Sequence, residues 1–449
     1  MLHQGLALAI AAFTFLQLLR GKWPRHVLTL AAGGLMVVVV LLGVMGSLDA
    51  VMEALSVDSF GKPQFWFAHG GVTERNVGIN WSTVLFLVGM MVMVEGMSEA
   101  GFFDWLCLRL AKSLGFRPMP LLLSFMAVAA LLSMFVDSIT VVLFLVVATV
   151  RLARLLRIDP VPMIIGEIFA ANLGGAATMT GDPPNIIIGT ALGLSFGDFL
   201  RNTGVIVLVG MVVMVPYFYF CFRKQVQSWD PQARQKVMEL DPRDSIHNRG
   251  QFAIHVILFL VVVVLLITHA QTGLTVATVG IIAAILTLLV NRWPLHLLRR
   301  VDWKTVLFFI GLFLAVSGLE QTGVLEAMAD GIAHLTGGNH TLMIGIILWL
   351  SGVASAFVDN IPMATVMVPV LTALSDGLGM DLETLTWSVS KGTDIGGIAT
   401  PIGASANVTG VMLAAREGHP ISWRRYCKYA VPLSLLVLVL SMVLLLAFH

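Results

Sequence analysis

Gly174-Gly-Ala-Ala-Thr-Met-Thr-Gly-Asp-Pro-Pro-Asn185 interrupts an apolar run of membrane-spanning length, and that interruption limits what the chain can build. Gly181 and the pair Pro183-Pro184 cannot continue a helix, because proline lacks the backbone donor and clashes with the preceding turn. In hydrocarbon such a break survives only where it is buried in protein or lines a cavity. Its freed carbonyls, and a new helix N-terminus near Asn185, then become groups that hold a ligand. Thr178, Asp182 and Asn185 add polar side chains to the same interruption.

The pattern returns 222 residues later as Gly396-Gly-Ile-Ala-Thr-Pro-Ile-Gly-Ala-Ser-Ala-Asn407. The same offset of 222 carries Trp81-Ser-Thr-Val-Leu-Phe-Leu-Val-Gly89 onto Trp303-Lys-Thr-Val-Leu-Phe-Phe-Ile-Gly311. It also carries Ser133-Met-Phe-Val-Asp137 onto Ser355-Ala-Phe-Val-Asp359. The matches include Trp, Asp, Gly and Asn rather than only Leu and Val, so they mark an internal repeat. The second copy keeps Thr400, Gly403 and Asn407 and offers Ser405, but has no acid where Asp182 stands. Two breaks at equivalent positions point to a binding site between the halves.

Composition agrees. Of 449 residues 57% are hydrophobic and 12% charged, against roughly 25% charged in soluble domains. Apolar runs of about 20 residues recur without period-two alternation, so spanning helices are expected rather than a barrel. The net charge of +1 leaves no basic footprint for nucleic acid. Cys107, Cys221 and Cys427 are scattered and show no metal-ligand spacing. The 23 methionines form no cluster with coordination spacing and read as apolar filler. The histidines sit mostly at loop edges. No nucleotide-binding motif and no nucleophile–base pair is visible, so neither a cofactor, a resident metal nor an enzyme activity is expected. The first apolar run, Leu2 to Leu19, lacks a basic start and a cleavage site and reads as a retained helix.

Lysines and arginines orient the chain. The loop Arg20-Gly-Lys-Trp-Pro-Arg25 belongs inside, as do Arg109, Lys112 and Arg117, and then Arg151, Arg154 and Arg157. The apolar stretch between the last two groups enters and leaves on one face. Five crossings in the first half invert the second half relative to it. Between Lys304 and Lys391 there is no Lys or Arg, while Glu320, Glu326, Asp330 and Asp376 are present, which suits the outside. The expected fold is an all-α polytopic membrane protein of two inverted-topology repeats, each with a re-entrant helical hairpin and a broken transmembrane helix. The first repeat covers 1–222, with its hairpin at 118–150 and broken helix at 161–200. A cytoplasmic linker covers 223–250. The second repeat covers 251–449, with its hairpin at 341–375 and broken helix at 384–415.

The hairpin tips are Asp137-Ser-Ile-Thr140 and Asp359-Asn-Ile-Pro362. A carboxylate at mid-membrane costs about 2.5–3.5 kcal/mol on insertion scales, so each needs a purpose or a partner. Asp137 and Asp359, with Ser138, Thr140 and Asn360, read as coupling groups, as N-caps of the second hairpin arm, or as both. Lys391 and Asp394 stand three apart on one helix face and are placed to pair. Asn172 maps onto Asp394 across the repeat. Glu167 and Glu95 are further acids in apolar helices, Glu167 directed toward the cytoplasmic vestibule.

These residues carry a resemblance. Phe135-Val-Asp-Ser-Ile-Thr140, Gly181-Asp-Pro-Pro-Asn-Ile-Ile-Ile188, Asp359-Asn-Ile-Pro362 and Gly403-Ala-Ser-Ala-Asn407 resemble the hairpin and broken-helix motifs of the ion-transporter superfamily. That superfamily includes arsenite permeases of the ArsB type and the melanosomal P protein, and the resemblance spans about residues 25–445. It implies a scaffold domain, a two-hairpin transport domain and a homodimer in the inner cell membrane. It implies a site bounded by Asp137, Ser138, Asn172, Asp182, Asn185, Asp359, Asn360, Asp394 and Asn407. Asp137, Asp182, Asp359 and Asp394 then face one obvious cation, Lys391, a balance that favours a cation or a neutral hydroxylated solute. The reading reached is proton-coupled efflux of arsenite or antimonite. A sodium/proton antiporter, or an anion channel or facilitator, is the alternative on the same fold. A cytoplasmic ATPase subunit docking on 223–250 stays open as a partner.

Overall fold

The computed structural model describes residues 2–68, 78–225, 235, 238–291 and 293–448. Most of the linker segment 226–237 lies outside the described residues. The first half begins with α1 (Leu2–Arg20) and α2 (Arg25–Leu35), which continues as a π-helical stretch to Val44. The short α3 (Leu48–Leu55) and α4 (Pro63–Trp66) come next, then α5 (Trp81–Glu99) and α6 (Phe102–Ser113). The hairpin arms are α7 (Pro118–Ser133) and α8 (Ser138–Leu156). The broken helix is α9 (Val161–Gly175) and α10 (Pro183–Leu192), and α11 (Phe196–Phe199) and α12 (Val205–Phe222) close the half.

The second half runs α13 (Arg249–Ile267), α14 (His269–Thr272), α15 (Val276–Val290) and α16 (Pro294–Arg300). Next come α17 (Trp303–Gln321) and α18 (Val324–Thr336). Its hairpin is α19 (His340–Phe357) and α20 (Asn360–Leu378). Its broken helix is α21 (Leu382–Gly397) and α22 (Ser405–Arg416), and α23 (Trp423–Phe448) ends the chain.

Packing repeats the sequence offset. In one half α7 lies along α9 and α8 along α22; in the other α19 lies along α21 and α20 along α10. Each hairpin therefore packs its first arm on its own half's broken helix and sets its second between the broken helices of both halves. A second body holds α5 along α15 and α17 along α2, with α1 and α13 beside them. Gly89 meets the Gly280 backbone where Gly311 meets Thr29 and Leu30, so α15 stands for α2 across the pseudo-twofold. The offset of 222 thus holds from α5 onward and fails before it. The first half carries an insertion, α3 to α4, between the helices that the second half joins through the short α16.

Several expected boundaries shift. The first hairpin continues to Leu156 rather than 150. The second occupies His340–Leu378, and its broken helix Leu382–Arg416. The helix expected to start near Asn185 starts at Pro183: the prolines open it, occupying first-turn positions whose N–H groups have no intrahelical acceptor. Among the described residues, ten helices are long and apolar enough to cross a membrane. Three of them, α8, α19 and α20, are hairpin arms, so length alone does not distinguish an arm from a span. The 15-residue α15 packs as a spanning helix although it is shorter than the usual membrane thickness requires.

Candidate functional site

Both breaks are held by the same device. Gly181 passes so close to the first hairpin that a Cβ there would lie 2.3 Å from the Ser133 carbonyl oxygen and 2.6 Å from that of Gly175. At Gly403 the corresponding distances are 2.7 Å to Ser355 and 2.5 Å to Gly397. Thr178 Oγ1 donates to the Met134 carbonyl at 2.5 Å, and Thr400 Oγ1 donates to that of Ala356. Asn185 Nδ2 donates to the Thr178 carbonyl at 3.2 Å. Asn407 Nδ2 does the same with Thr400 at 2.7 Å and with Gly397 at 2.9 Å. The side chains thus answer carbonyls that the broken helices leave open, as hydrocarbon-depth backbone demands.

Across the midline the halves join. Asn172 Nδ2 donates to Asn407 Oδ1 at 2.9 Å, and Ser390 Oγ donates to Asn185 Oδ1 at 2.8 Å. The centre is Asp182, the N-cap residue of α10, 2% exposed. Ser138 Oγ from the first hairpin tip donates to its Oδ1 at 2.7 Å. Asn360 Nδ2 from the second tip donates to its Oδ2 at 3.0 Å. Ser138 and Asn360 are repeat mates, so one carboxylate ties equivalent points of both hairpins. Asp394, Asp137 and Asp359 lie close enough to repel a charge on it.

The two tip acids differ. Asp137 caps its own helix, accepting from Thr140 N at 3.0 Å and Thr140 Oγ1 at 2.6 Å. Asp359 also caps, through Ile361 N at 3.3 Å, but its Oδ2 takes Ser405 Oγ at 2.5 Å and Arg25 Nη1 at 2.5 Å. Arg25 Nη1 reaches Ser405 Oγ as well, at 3.1 Å. The balance of four acids against Lys391 alone is therefore corrected: Arg25, at the start of α2, is a second cation at the site.

Lys391 and Asp394 are both fully buried, yet they form no ion pair among the described residues. Lys391 Nζ turns to the Ala176 carbonyl at 3.2 Å, an open carbonyl at the C-terminus of α9, where a cation is favoured. Among the described residues neither carboxylate oxygen of Asp394 has a hydrogen-bond partner at normal distance, with the Asn185 side chain beside it. Glu167 does not face a vestibule: it is fully buried, with Thr149 Oγ1 donating to one oxygen and no partner on the other. Glu95 is away from the site, paired with Arg300 at 3.3 Å.

All sixteen expected residues, from Asp137 to Asn407, fall within this midline network or its immediate supports. Sequence reading misses Arg25 and Ser390. Arg25 reads as one of the loop charges that orient the chain, and its signal as a site residue is only its place at a helix start. Ser390 maps onto apolar Ile168, so the repeat carries no signal for it.

Beside the insertion a cavity of about 340 Å³ lies between the two bodies. Its walls include Lys62 and Phe65 of the insertion, Asn80, Thr190 and His269, and it reaches Met179 in the first break. Asn80 Nδ2 donates to Thr190 Oγ1 at 2.7 Å at its edge. His269 lies outside the spanning helices, and Phe196 N donates to its Nε2 at 3.0 Å. Burial holds its pKa below the ordinary imidazole value, against the opposing pull of the Leu274 backbone and Asp198.

Comparison with known proteins agrees with this architecture. The model of the family described as citrate transporter (CitMHS) matches residues 27–392. An uncharacterized transporter, Rv2685 of Mycobacterium tuberculosis, is 34% identical over 376 residues, covering 82% of this chain and 87% of that one. The human P protein is 26% identical over 452 residues, covering 83% of this chain and 54% of that protein. Among solved structures, MtrF of Neisseria gonorrhoeae, described as one of a class of antimetabolite efflux pumps, matches with a TM-score of 0.57 at 12% identity, over 94% of this chain and 93% of that one. The YdaH transporter of Alcanivorax borkumensis matches with a TM-score of 0.52 at 16% identity, over 81% and 83%.

Proposed function

The chain belongs to the citrate transporter family (CitMHS), and we propose that within it this secondary transporter exports trivalent arsenic or antimony as the neutral hydroxide, in exchange for protons. The observation that carries the reading is the charge arrangement around Asp182. Four carboxylates gather at the midline, and both cations there are engaged, Arg25 by Asp359 and Ser405 and Lys391 by the Ala176 carbonyl. A multivalent anion such as citrate would find repulsion and no uncommitted positive partner. A small neutral solute bearing several hydroxyls would instead donate to the carboxylates, the Asp394 oxygens among them, which take no hydrogen bond among the described residues. The start of α10 agrees, since Pro183 and Pro184 have no N–H to offer an anion.

Transport in proteoliposomes under an imposed pH gradient tests this. Arsenite should move against its gradient only when the pH difference is present, and citrate should not move. Citrate flux without arsenite flux overturns the reading. A second reading, sodium/proton antiport, is favoured by one observation. Asp394 is a fully buried carboxylate beside Asn185 whose oxygens take no hydrogen bond at normal distance among the described residues, a group that a dehydrated cation or a proton would neutralise. Sodium-dependent dequenching of a pH dye in the same vesicles, with no arsenite movement, would select it. Residence in the inner cell membrane and a homodimeric assembly belong to the same proposal. The ATPase subunit is left to a pull-down with the intact chain, because residues 226–234 and 236–237 of its docking segment lie outside the described residues.

A further inference from the structure

We propose that Arg25 is the inner latch of the transport cycle: it closes the cytoplasmic side of the site by tying the scaffold to the tip of the second hairpin, and it must let go for the site to open inward. The pair joins two bodies. Arg25 is the first residue of α2, which lies along α17, while Asp359 and Ser405 belong to the hairpin and broken helix of the other body. One guanidinium thus bridges a hairpin tip and a helix start that sit 46 residues apart in sequence. Its side chain is 34% exposed while that of Asp359 is 7% exposed, so the contact forms the rim of the buried site rather than part of its interior.

The pseudo-twofold makes the latch one-sided. Asp137, the mate of Asp359, is held among the described residues by Ile139 and Thr140 of its own helix, with no cation. The position that stands for Arg25 at the start of α15 is Thr275, uncharged and bonded to the insertion through the Phe65 carbonyl at 2.8 Å. The mate of Ser405 is Pro183, which has no hydroxyl. Among the described residues no charged bridge joins these equivalent positions, and on that side the 340 Å³ cavity between the same two bodies reaches Met179 in the first break. A latched inner rim and an open outer cavity describe one outward-facing state of an alternating-access cycle.

The inference rests on the inverted-repeat transporter fold and the charge-based orientation, and does not depend on which cargo is carried. The test uses the full chain with Cys107, Cys221 and Cys427 replaced and a single cysteine at Val408, half-buried one turn beyond Ser405. Modification by an impermeant maleimide is followed from the cytoplasmic face in inverted vesicles, with no cargo present. Arg25→Gln should raise the modification rate roughly tenfold, the factor that corresponds to about 1.4 kcal/mol of lost closure. Arg25→Lys should keep the rate near that of the parent, and Arg25→Glu should raise it. Combining Arg25→Glu with Asp359→Arg should restore slow modification, which a merely structural arginine would not do. Equal rates in the parent, Arg25→Gln and Arg25→Glu, each monodisperse in detergent, overturn the latch. So does a charge exchange that fails to slow the reaction. Either result leaves the cargo assignment standing, because that is judged by flux alone.

Discussion

Asp182 accepts a hydrogen bond from each hairpin tip, so a change there reaches both halves at once. Asp182→Asn retains one acceptor oxygen and turns an NH2 group against a donor, either Ser138 or Asn360. Proton-driven flux should fall by at least about tenfold in protein that still inserts and is monodisperse in detergent; unchanged flux in proteoliposomes removes Asp182 from the mechanism. Asn407 answers two open carbonyls and Asn172. Asn407→Ala leaves those groups in an apolar interior and should destabilise the protein by about 1–3 kcal/mol, visible as a lowered detergent melting temperature. At the outer cavity the pH dependence has a definite sign. The folded state keeps His269 less basic than an unfolded chain does, so the unfolded state binds the proton more readily. The contribution of His269 is then whole above the ordinary imidazole value of about 6.5 and is lost as pH falls through the depressed folded value. Thermal stability measured from neutral to mildly acid pH should decline less in His269→Gln than in the parent, and equal declines refute the assignment.

The broken helices depend on backbone approach as much as on side chains. Gly181→Ala puts a methyl within 2.3 Å of the Ser133 carbonyl oxygen, which is backbone and cannot rotate aside. A loss of about 1–3 kcal/mol is expected, with Gly403→Ala behaving alike. Gly331 serves as the opposite case, since it lies inside α18 with nothing within 4 Å of an added Cβ. Gly331→Ala should stabilise by about 1 kcal/mol or less, because alanine costs less backbone entropy in a helix. Melting curves of the three variants check both signs. At this scale the sequence is legible where chemistry is local: the glycines and prolines locate both breaks, and Asp137 and Asp359 cap the arms they are expected to cap. It misleads where a side chain has two destinations. Lys391 and Asp394 share a helix face, yet the lysine reaches across to the end of α9, a partner no spacing rule on one helix contains.

For the whole molecule the decisive claim is inversion. Single cysteines replacing Arg154, near the end of the first hairpin, and Asp376, near the end of the second, should react with impermeant reagents from opposite faces of the membrane. Reaction from the same face would remove the inverted design and the pocket built on it. The pairing of α2 with α15 is hidden in the sequence because the insertion of α3 and α4 moves the first two helices out of the register that holds everywhere else. Repeats are detectable in sequence only while their offset is constant; in space they are detectable by what packs on what.

By itself the sequence determined the membrane class, the two breaks, the two hairpin tips and the offset that relates them. These come from apolar run length, from residues that cannot continue a helix, and from the cost of placing carboxylates in hydrocarbon, all properties of short stretches. The three-dimensional fold added that one acid, Asp182, is held by both tips, that Arg25 reaches Asp359 and Ser405 while Glu95 pairs elsewhere, and that Lys391 turns from Asp394 to the Ala176 carbonyl. Those outcomes depend on which helices lie side by side, and the energy of a buried charge is set by neighbours distant in the chain.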